Sequence, residues 1–436
     1  MAGEWVTFRL GDVCSKIGSG ATPRGGSSVY LDQGDVALIR SQNVYNDGFH
    51  HNGITYLTEE HAAELANVEV VEHDILLNIT GDSVARSCQV DAAVLPARVN
   101  QHVAIIRPNP AMLWPRFLHY FLVSPTMQAH MLSLAGAGAT RNALTKGMIE
   151  SFEVQAPKDV DEQRAIAHIL GTLDDKIELN RRMNATLEAM ARALFKSWFV
   201  DFDPVRAKAE GKDPSLPQPL ADLFPDSFED SELDEIPKGW RVGSLGDVAE
   251  HPRRSIQPSG IKPTTPYIAL EHMPKRCIAL AEWDAADGLE SNKFEFKTGE
   301  ILFGKLRPYF HKVGVAPLDG VCSTDIVVLT PRTQEWFGFV LGHVSSDAFV
   351  EHTNAGSTGT KMPRTSWGDM ARYAVVIPPE NVAKAFTSQV RDSVNHIIAS
   401  IHASRTLAAL RDTLLPKLVS GELRMKDADH FAESNI

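Results

Sequence analysis

The chain opens with "EWVTFRLGDV" at residues 4–13, and the line returns as "GWRVGSLGDV" at residues 239–248. Trp5, Leu10, Gly11, Asp12 and Val13 recur as Trp240, Leu245, Gly246, Asp247 and Val248, each 235 positions on. Four more echoes follow in the same order. "HDILLN" (73–78) is answered by "GEILFG" (299–304), and "NQHVAIIRP" (100–108) by "STDIVVLTP" (323–331). "AGAGATR" (135–141) is answered by "AGSTGTK" (355–361), and "FEVQAP" (152–157) by "YAVVIP" (373–378). The offset drifts from 235 to 220, as loop insertions would make it. Ordered echoes of this kind mark one duplicated unit of about 200 residues.

Each half reads as short strands first and a long helix last. "DVALIRSQNV" (35–44), "VAIIRP" (103–108) and "DIVVLTP" (325–331) are β-branched runs flanked by turn residues. "LWPRFLHYFLVSPTMQAHMLSLA" (113–135) predicts short helices broken at Pro125. After Pro157 no proline appears through Phe199, and Ile166, Leu170, Leu173, Ile177, Asn180, Asn184, Leu187, Ala191, Leu194 and Trp198 form a heptad-like stripe. A helix of about 38 residues would be roughly 57 Å long. The second half ends with its own stripe, Val390, Val394, Ile397, Ile401, Ser404, Leu407, Leu410, Leu414 and Leu418, stopping near Gly421. Both stripes turn polar midway, at Asn180/Asn184 and Ser400/Ser404, where a facing polar layer would set register. The fold expected is α+β: two duplicated α+β domains separated by an antiparallel, coiled-coil-like pair of long helices, with pseudo-twofold symmetry.

Bulk composition narrows the class. With 43% hydrophobic and 22% charged residues the chain is an ordinary globular one. No apolar run reaches the ~20 residues a membrane span needs, and the opening residues lack a signal-peptide pattern, so a cytoplasmic protein is expected. Cys14, Cys88, Cys277 and Cys322 are scattered, which suits buried thiols better than disulfides or zinc. A net charge of −12 argues at first against nucleic acid. However, residues 213–236 hold eight acidic residues and no basic one, so two-thirds of the excess lies in a connector and either half is free to present a basic face.

The chain carries no readable catalytic motif. "DFDPVR" (201–206) lacks the second proline and the aromatic residue of an adenine methyltransferase motif, and Pro204 reads more simply as a helix stop. There is no phosphate-binding G-x-x-x-x-G-K-[ST] loop. "GSGATP" lacks the third glycine of a dinucleotide fingerprint. "FEFK" (294–297) reads as alternating charge on a strand rather than a nuclease site, and His50–His51 has no partner at zinc spacing.

Over nearly its whole length the sequence resembles the specificity subunit of a type I restriction-modification system. The features that carry this are the paired "W…LGDV" openings, "GSGATPRG" (18–25), "DEQRAIAHIL" (161–170), "SWFVDFDPVRAKAEG" (197–211), "FPDSFEDSELDEIPKGW" (224–240) and the closing "LLPKLVSGEL" (414–423). The resemblance implies a non-catalytic DNA reader for a bipartite double-stranded target. Target-recognition domains would occupy 1–158 and 237–378, with long helices at 159–200 and 379–422, an acidic Pro-rich connector at 201–236 and a tail at 423–436. It also implies modification (methyltransferase) subunits, two of them, and restriction (nuclease-translocase) subunits as partners. S-adenosylmethionine, ATP and Mg would reside on those partners and no cofactor or metal on this chain. "EHPRRSIQPSGIKP" (250–263) does not match "GSGATPRG", so the two half-sites should differ.

Base readout calls for Arg or Lys at guanine, Asn or Gln at adenine, and Ser or Thr as adaptable partners. The loops supply these types at Arg24, Arg40, Ser41, Gln42 and Asn43, and at Thr140, Arg141, Asn142 and Lys146. The second half offers Arg253, Arg254, Lys305, Arg307, Tyr309, Lys361, Arg364 and Thr365. Apolar residues outside the helix seam, Ile169, Met183, Met190, Phe195 and Phe199, are candidates for docking partner subunits or for packing against the globular parts. The rival reading is a scaffold of duplicated domains with no DNA role.

Overall fold

The repeated opening folds as strand, helical turn and strand in both copies. A strand (β1, Trp5–Arg9) leads into one helical turn, Leu10–Val13, then into β2, Cys14–Ser19. The structure is a computed structural model that describes residues 4–136, 142–357, 359 and 361–424. It divides into two units, one built from residues up to Ile177 and from Thr406 on, the other from Glu178–Arg405.

In the first unit β2 joins β3 (Val36–Ile39), β4 (Thr55–Leu57), β5 (Glu69–Val70), β6 (Ile75–Asn78), β7 (Ser87–Gln89), β8 (Ala97–Val99) and β9 (Val103–Pro108) in two four-stranded sheets. Their orders are β4-β3-β8-β5 and β2-β9-β6-β7, with β3 and β8 parallel and the remaining pairs antiparallel. The strand expected over 35–44 is thus only its first half, and a 3-10 turn at Ser41–Asn43 follows. Helices α1 (Pro115–Val123), α2 (Pro125–Gly136) and α3 (Lys146–Glu150) precede β10 (Glu153–Pro157), which pairs with β1. Proline opens α2, which accounts for the break at Pro125.

The second unit repeats this plan. Its strands are β11 (Arg241–Ser244), β12 (Ala249–Glu250), β13 (Pro266–Ile268), β14 (Asp284–Ala285), β15 (Lys293–Phe296), β16 (Ile301–Gly304), β17 (Val313–Val315), β18 (Gly320–Cys322) and β19 (Ile326–Pro331). One sheet runs β12-β19-β16-β17. The other runs β14-β13-β18-β15, with a parallel β13–β18 pair where the first unit has β3–β8, and Ser255–Ile256 adds an edge. Helices α4 (Phe337–Val344), α5 (Asp347–Ala355) and α6 (Trp367–Ala371) then lead to β20 (Ala374–Ile377), paired with β11.

The repeated motif has a packing reason. Leu10 N–H donates to Phe152 O at 3.0 Å, and Leu245 N–H to Tyr373 O at 2.9 Å. Both leucines and both valines of LGDV are buried. A Cβ on Gly11 would sit 3.1 Å from Glu150 O, and one on Gly246 3.2 Å from Ala371 O, so glycine lets the turn close on α3 or α6. Asp247 caps its own turn by accepting from Ser244 N–H at 3.0 Å. The tryptophan meets the end of a long helix in each unit. Trp5 lies against Gly421, where a Cβ would be 2.8 Å from the indole, and Trp240 packs on Phe199 and Phe202.

The long helices, Val160–Phe199 and Glu380–Val419, are 40 residues each and both contribute to each unit. In the first unit Ile166 and Leu170 bury with Leu414 and Leu418, and Arg411 pairs with Asp174 at 2.7 Å. In the second, Phe195, Trp198 and Phe199 cluster around Phe386. The polar midpoints meet as the stripes imply. Asn180 Nδ2 donates to Ser404 Oγ at 3.0 Å, and Ser400 Oγ donates to Asn184 Oδ1 at 2.7 Å. Four residues forward on one helix match four residues back on the other, which is an antiparallel register.

Candidate nucleic-acid interface

Parallel pairing of β3 with β8 brings four loops of the first unit together. They are the 3-10 turn at 41–43, the β6–β7 loop 79–86, the turn 100–102 and the segment from Asn142 into α3. The β6–β7 loop is stitched to the last of these by Gly81 N–H to Asn142 O at 3.2 Å and Leu144 N–H to Ile79 O at 2.9 Å. Ile79 N–H in turn donates to His102 O at 3.0 Å. The result is an open polar cleft of about 460 Å³ lined by Ser41, Gln42, Thr80, Asp82, Arg86 and His102, among others. Thr80 Oγ1 and His102 Nδ1 lie 2.6 Å apart, and Gln101 reaches the other ring nitrogen at 3.0 Å. Arg86 lies over the Tyr45 ring at 4.7 Å. Gly20 explains part of "GSGATPRG": a Cβ there would collide with Val99 O at 2.0 Å, so the loop passes hard against the end of β8, where Thr22 bonds Gln101.

The second unit has the same frame with different side chains. Arg307 N–H donates to Pro363 O at 2.7 Å, Thr365 N–H to Lys305 O at 3.1 Å and Lys305 N–H to Asp325 O at 2.9 Å. These bonds match those of Gly81, Leu144 and Ile79 one for one. They equate Ala143 with Arg364 and His102 with Asp325, and the isolated bridges Thr80–Ala143 and Leu306–Arg364 agree. Gly81 and Arg307 both adopt positive φ, +74° and +51°. Asn43 Oδ1 accepts from Arg40 N–H and His272 Nδ1 from Ala269 N–H, both at 3.0 Å, so the two 3-10 turns also correspond. Where the first unit has the Thr80–His102 contact, the second has a forked ion pair: Arg364 Nε to Asp325 Oδ1 at 3.1 Å and Nη2 to Oδ2 at 3.5 Å.

Two observations sit beside this geometry. Residues 2–189 match the family described as "Type I restriction modification DNA specificity domain". The chain is also 26% identical to the type I restriction enzyme MjaIX specificity subunit of Methanocaldococcus jannaschii, over 97% of this chain and 94% of that protein. Over nearly its whole length the chain is thus similar to type I restriction specificity subunits. The HindI specificity subunit of Haemophilus influenzae is 24% identical, covering 96% of this chain and all of that one. Among solved structures, the type I restriction-modification S subunit of M. genitalium covers 95% of this chain and 96% of its own at a TM-score of 0.57; at 14% identity it speaks for the fold.

The expected reading residues fall into three groups. Ser41 and Gln42 line the first cleft, and Asn142 and Lys146 sit in the loop stitched to it. Lys305, Arg307, Tyr309, Lys361 and Arg364 gather in the equivalent loops, with Tyr309 half exposed. Arg24 is exposed and weakly paired with Glu64 at 3.8 Å, and Arg253 is exposed at positive φ. The second group is committed to the fold. Asn43 is fully buried and bonds Arg40 N–H, His50 O and Asn52 O, so it closes its own loop and does not face a ligand. Thr365 is buried as well. Arg254 is pinned by Glu300, whose hydrogen bond holds its guanidinium above its ordinary pKa. Arg40 spends one guanidinium nitrogen on Gly53 O. The third group, Thr140 and Arg141, lies outside the described residues.

The docking candidates also divide. Phe195 and Phe199 are 4% exposed and form the aromatic core of the second unit, so their apolar surface is used internally. Only their edges reach a cleft of about 510 Å³ rimmed by Arg192, Lys196, Arg276 and His311. Met190 is 63% exposed, while Ile169 and Met183 are partly buried. Among the described residues no His, Cys, Asp or Glu cluster is placed to hold a metal, and no helix is long and apolar enough to cross a membrane.

Residue-type reasoning did not single out the loop residues Thr80, Arg86, Gln101, His102 and Asp325. For Gln101, His102 and Asp325 a signal lay in the repeats: "NQHV" and "STDI" head the same echoed strand, and the triplet before the shared apolar residue is where the two copies diverge.

Proposed function

We propose that this chain is the non-catalytic DNA-reading subunit of a type I restriction-modification complex, and that each unit reads one half of a bipartite site. The readers are approximately 1–158 and 237–378. The observation that carries this reading is the loop frame built twice from the same backbone bonds but furnished with different side chains. A shared frame supports a shared task, and different side chains support different half-sites. Wrong bases would leave polar groups unpaired, at about 1–3 kcal/mol per position. The long helices fix the gap between half-sites and, with Met190 and the apolar edges near it, dock two methyltransferase subunits. Restriction subunits complete the assembly. S-adenosylmethionine, ATP and magnesium belong to those partners.

The test is to map methylated adenines in the host genome with and without this gene. A bipartite motif with unlike halves that vanishes on deletion is expected. An unchanged methylation pattern, together with salt-independent behaviour of the assembled complex on DNA, would favour the scaffold reading instead.

A further inference from the structure

We infer that Arg364, aimed by Asp325, reads a guanine in the half-site of the second unit. The inference rests on the DNA-reading role proposed above and adds a base to it. A guanidinium has two hydrogen-bonding edges. Asp325 occupies the edge formed by Nε and Nη2, at 3.1 and 3.5 Å. The remaining edge, Nη1 with the second hydrogen of Nη2, is the fork that fits guanine O6 and N7. Among the described residues Nη1 makes no hydrogen bond, and the Arg364 side chain is 48% exposed.

The aim is fixed from behind. Asp325 hangs on the turn leading into β19, where its N–H donates to Ser323 Oγ at 3.2 Å and its carbonyl accepts from Lys305 N–H at 2.9 Å. Arg364 itself lies between two stitched residues, since Pro363 O accepts from Arg307 N–H and Thr365 N–H donates to Lys305 O. An arginine held by a carboxylate on one edge and by its backbone on both sides has little rotamer freedom left to lose on binding. Lys305 and Arg307 alongside supply phosphate-seeking charge. The first unit has Ala143 and His102 at these positions, so it lacks the fork, and this guanine contact belongs to one half-site alone.

The experiment uses the complex assembled with its methyltransferase subunits and, as probes, the mapped target duplex plus duplexes substituted singly at every position. In the wild type, replacing one G·C pair of the second half-site should weaken binding by about 5- to 150-fold. Arg364→Ala should abolish that penalty at that pair while penalties in the first half-site persist, which also shows that the variant is folded. Asp325→Asn should reduce the same penalty and no other. Lys305→Ala should weaken all duplexes evenly and lower the salt slope by about 1. If Arg364→Ala instead behaves like Lys305→Ala, with base discrimination intact, Arg364 is a phosphate contact and the inference fails while DNA reading stands. If the wild-type complex discriminates among none of the duplexes, the underlying DNA-reading role fails with it.

Discussion

The two units share a backbone plan yet are filled differently, both at the loops and behind them. At the loop face the first unit sets Gln42, Arg86 and the Thr80–His102 contact, where the second sets Lys305, Arg307 and the Arg364–Asp325 fork. Behind the face the first unit closes its helix end with Leu415, Leu418 and Val419, and the second uses Phe195, Trp198 and Phe199 one repeat earlier. What the pair keeps in common is backbone: the LGDV turn, the parallel strand pair, the stitched loops. What it varies is side chains at loop tips and volumes in the core. Each unit is therefore distinguished by what stands on the frame, and the frame tolerates large changes in core composition provided each is complementary within its own unit.

This comparison can be broken or sharpened by substitution. The largest effect is expected at the core. Trp198→Ala should cost about 3–5 kcal/mol, at or above the about 2–5 kcal/mol of Leu418→Ala, measured by denaturant unfolding. Equal, small losses at both would show that the aromatic cluster is not the organising contact of the second unit.

Acid response should come next. Burial lowers His119 to about 4 in the first unit and His343 to about 3 in the second. The unfolded chain takes up these protons first, so stability is present above about pH 6.5 and falls as pH drops toward the folded values, by at most about 1.4 kcal/mol per pH unit for each histidine. His343→Phe, which keeps an aromatic ring in the buried site, should flatten this acid limb in unfolding curves taken between pH 7 and 4. An unaltered limb would show that His343 already finds a proton partner.

Asn43→Ala should lower stability by about 1–3 kcal/mol because it leaves His50 O, Asn52 O and Arg40 N–H without their partner. Gln42→Ala next to it should change stability by less than about 0.5 kcal/mol and act on DNA affinity instead. The smallest effect belongs to the helix seam. A double-mutant cycle on Asn184→Ala and Ser400→Ala should return a coupling of about 1 kcal/mol, and zero coupling would remove the register role of the polar layer.

How much of this was legible in the sequence follows from where each signal is local. The long helices and their polar midpoints were readable because a stripe repeats at a fixed period along one element. The duplication was readable because the LGDV turn needs the same four residues wherever it packs. Asn43 was misjudged because an asparagine that reads adenine and one that closes a 3-10 turn have the same composition around them; burial alone separates them. Phe195 and Phe199 lay off the seam and so looked free, yet α4 and Phe386 cover them. His102 and Asp325 gain their place only when the parallel strand pair brings distant loops together, which no local window contains. The loop echo at 135–141 and 355–361 also slips by one residue after its end, so Arg364 answers to Ala143 and not to Leu144.

The central claim is that the two units are interchangeable readers on one frame. Its most direct test replaces residues 237–378 with a second copy of residues 1–158 and maps adenine methylation in cells carrying the partner subunits. The account predicts a bipartite motif whose two halves are now the same sequence in inverted orientation. Methylation that retains the original second half-site would contradict it.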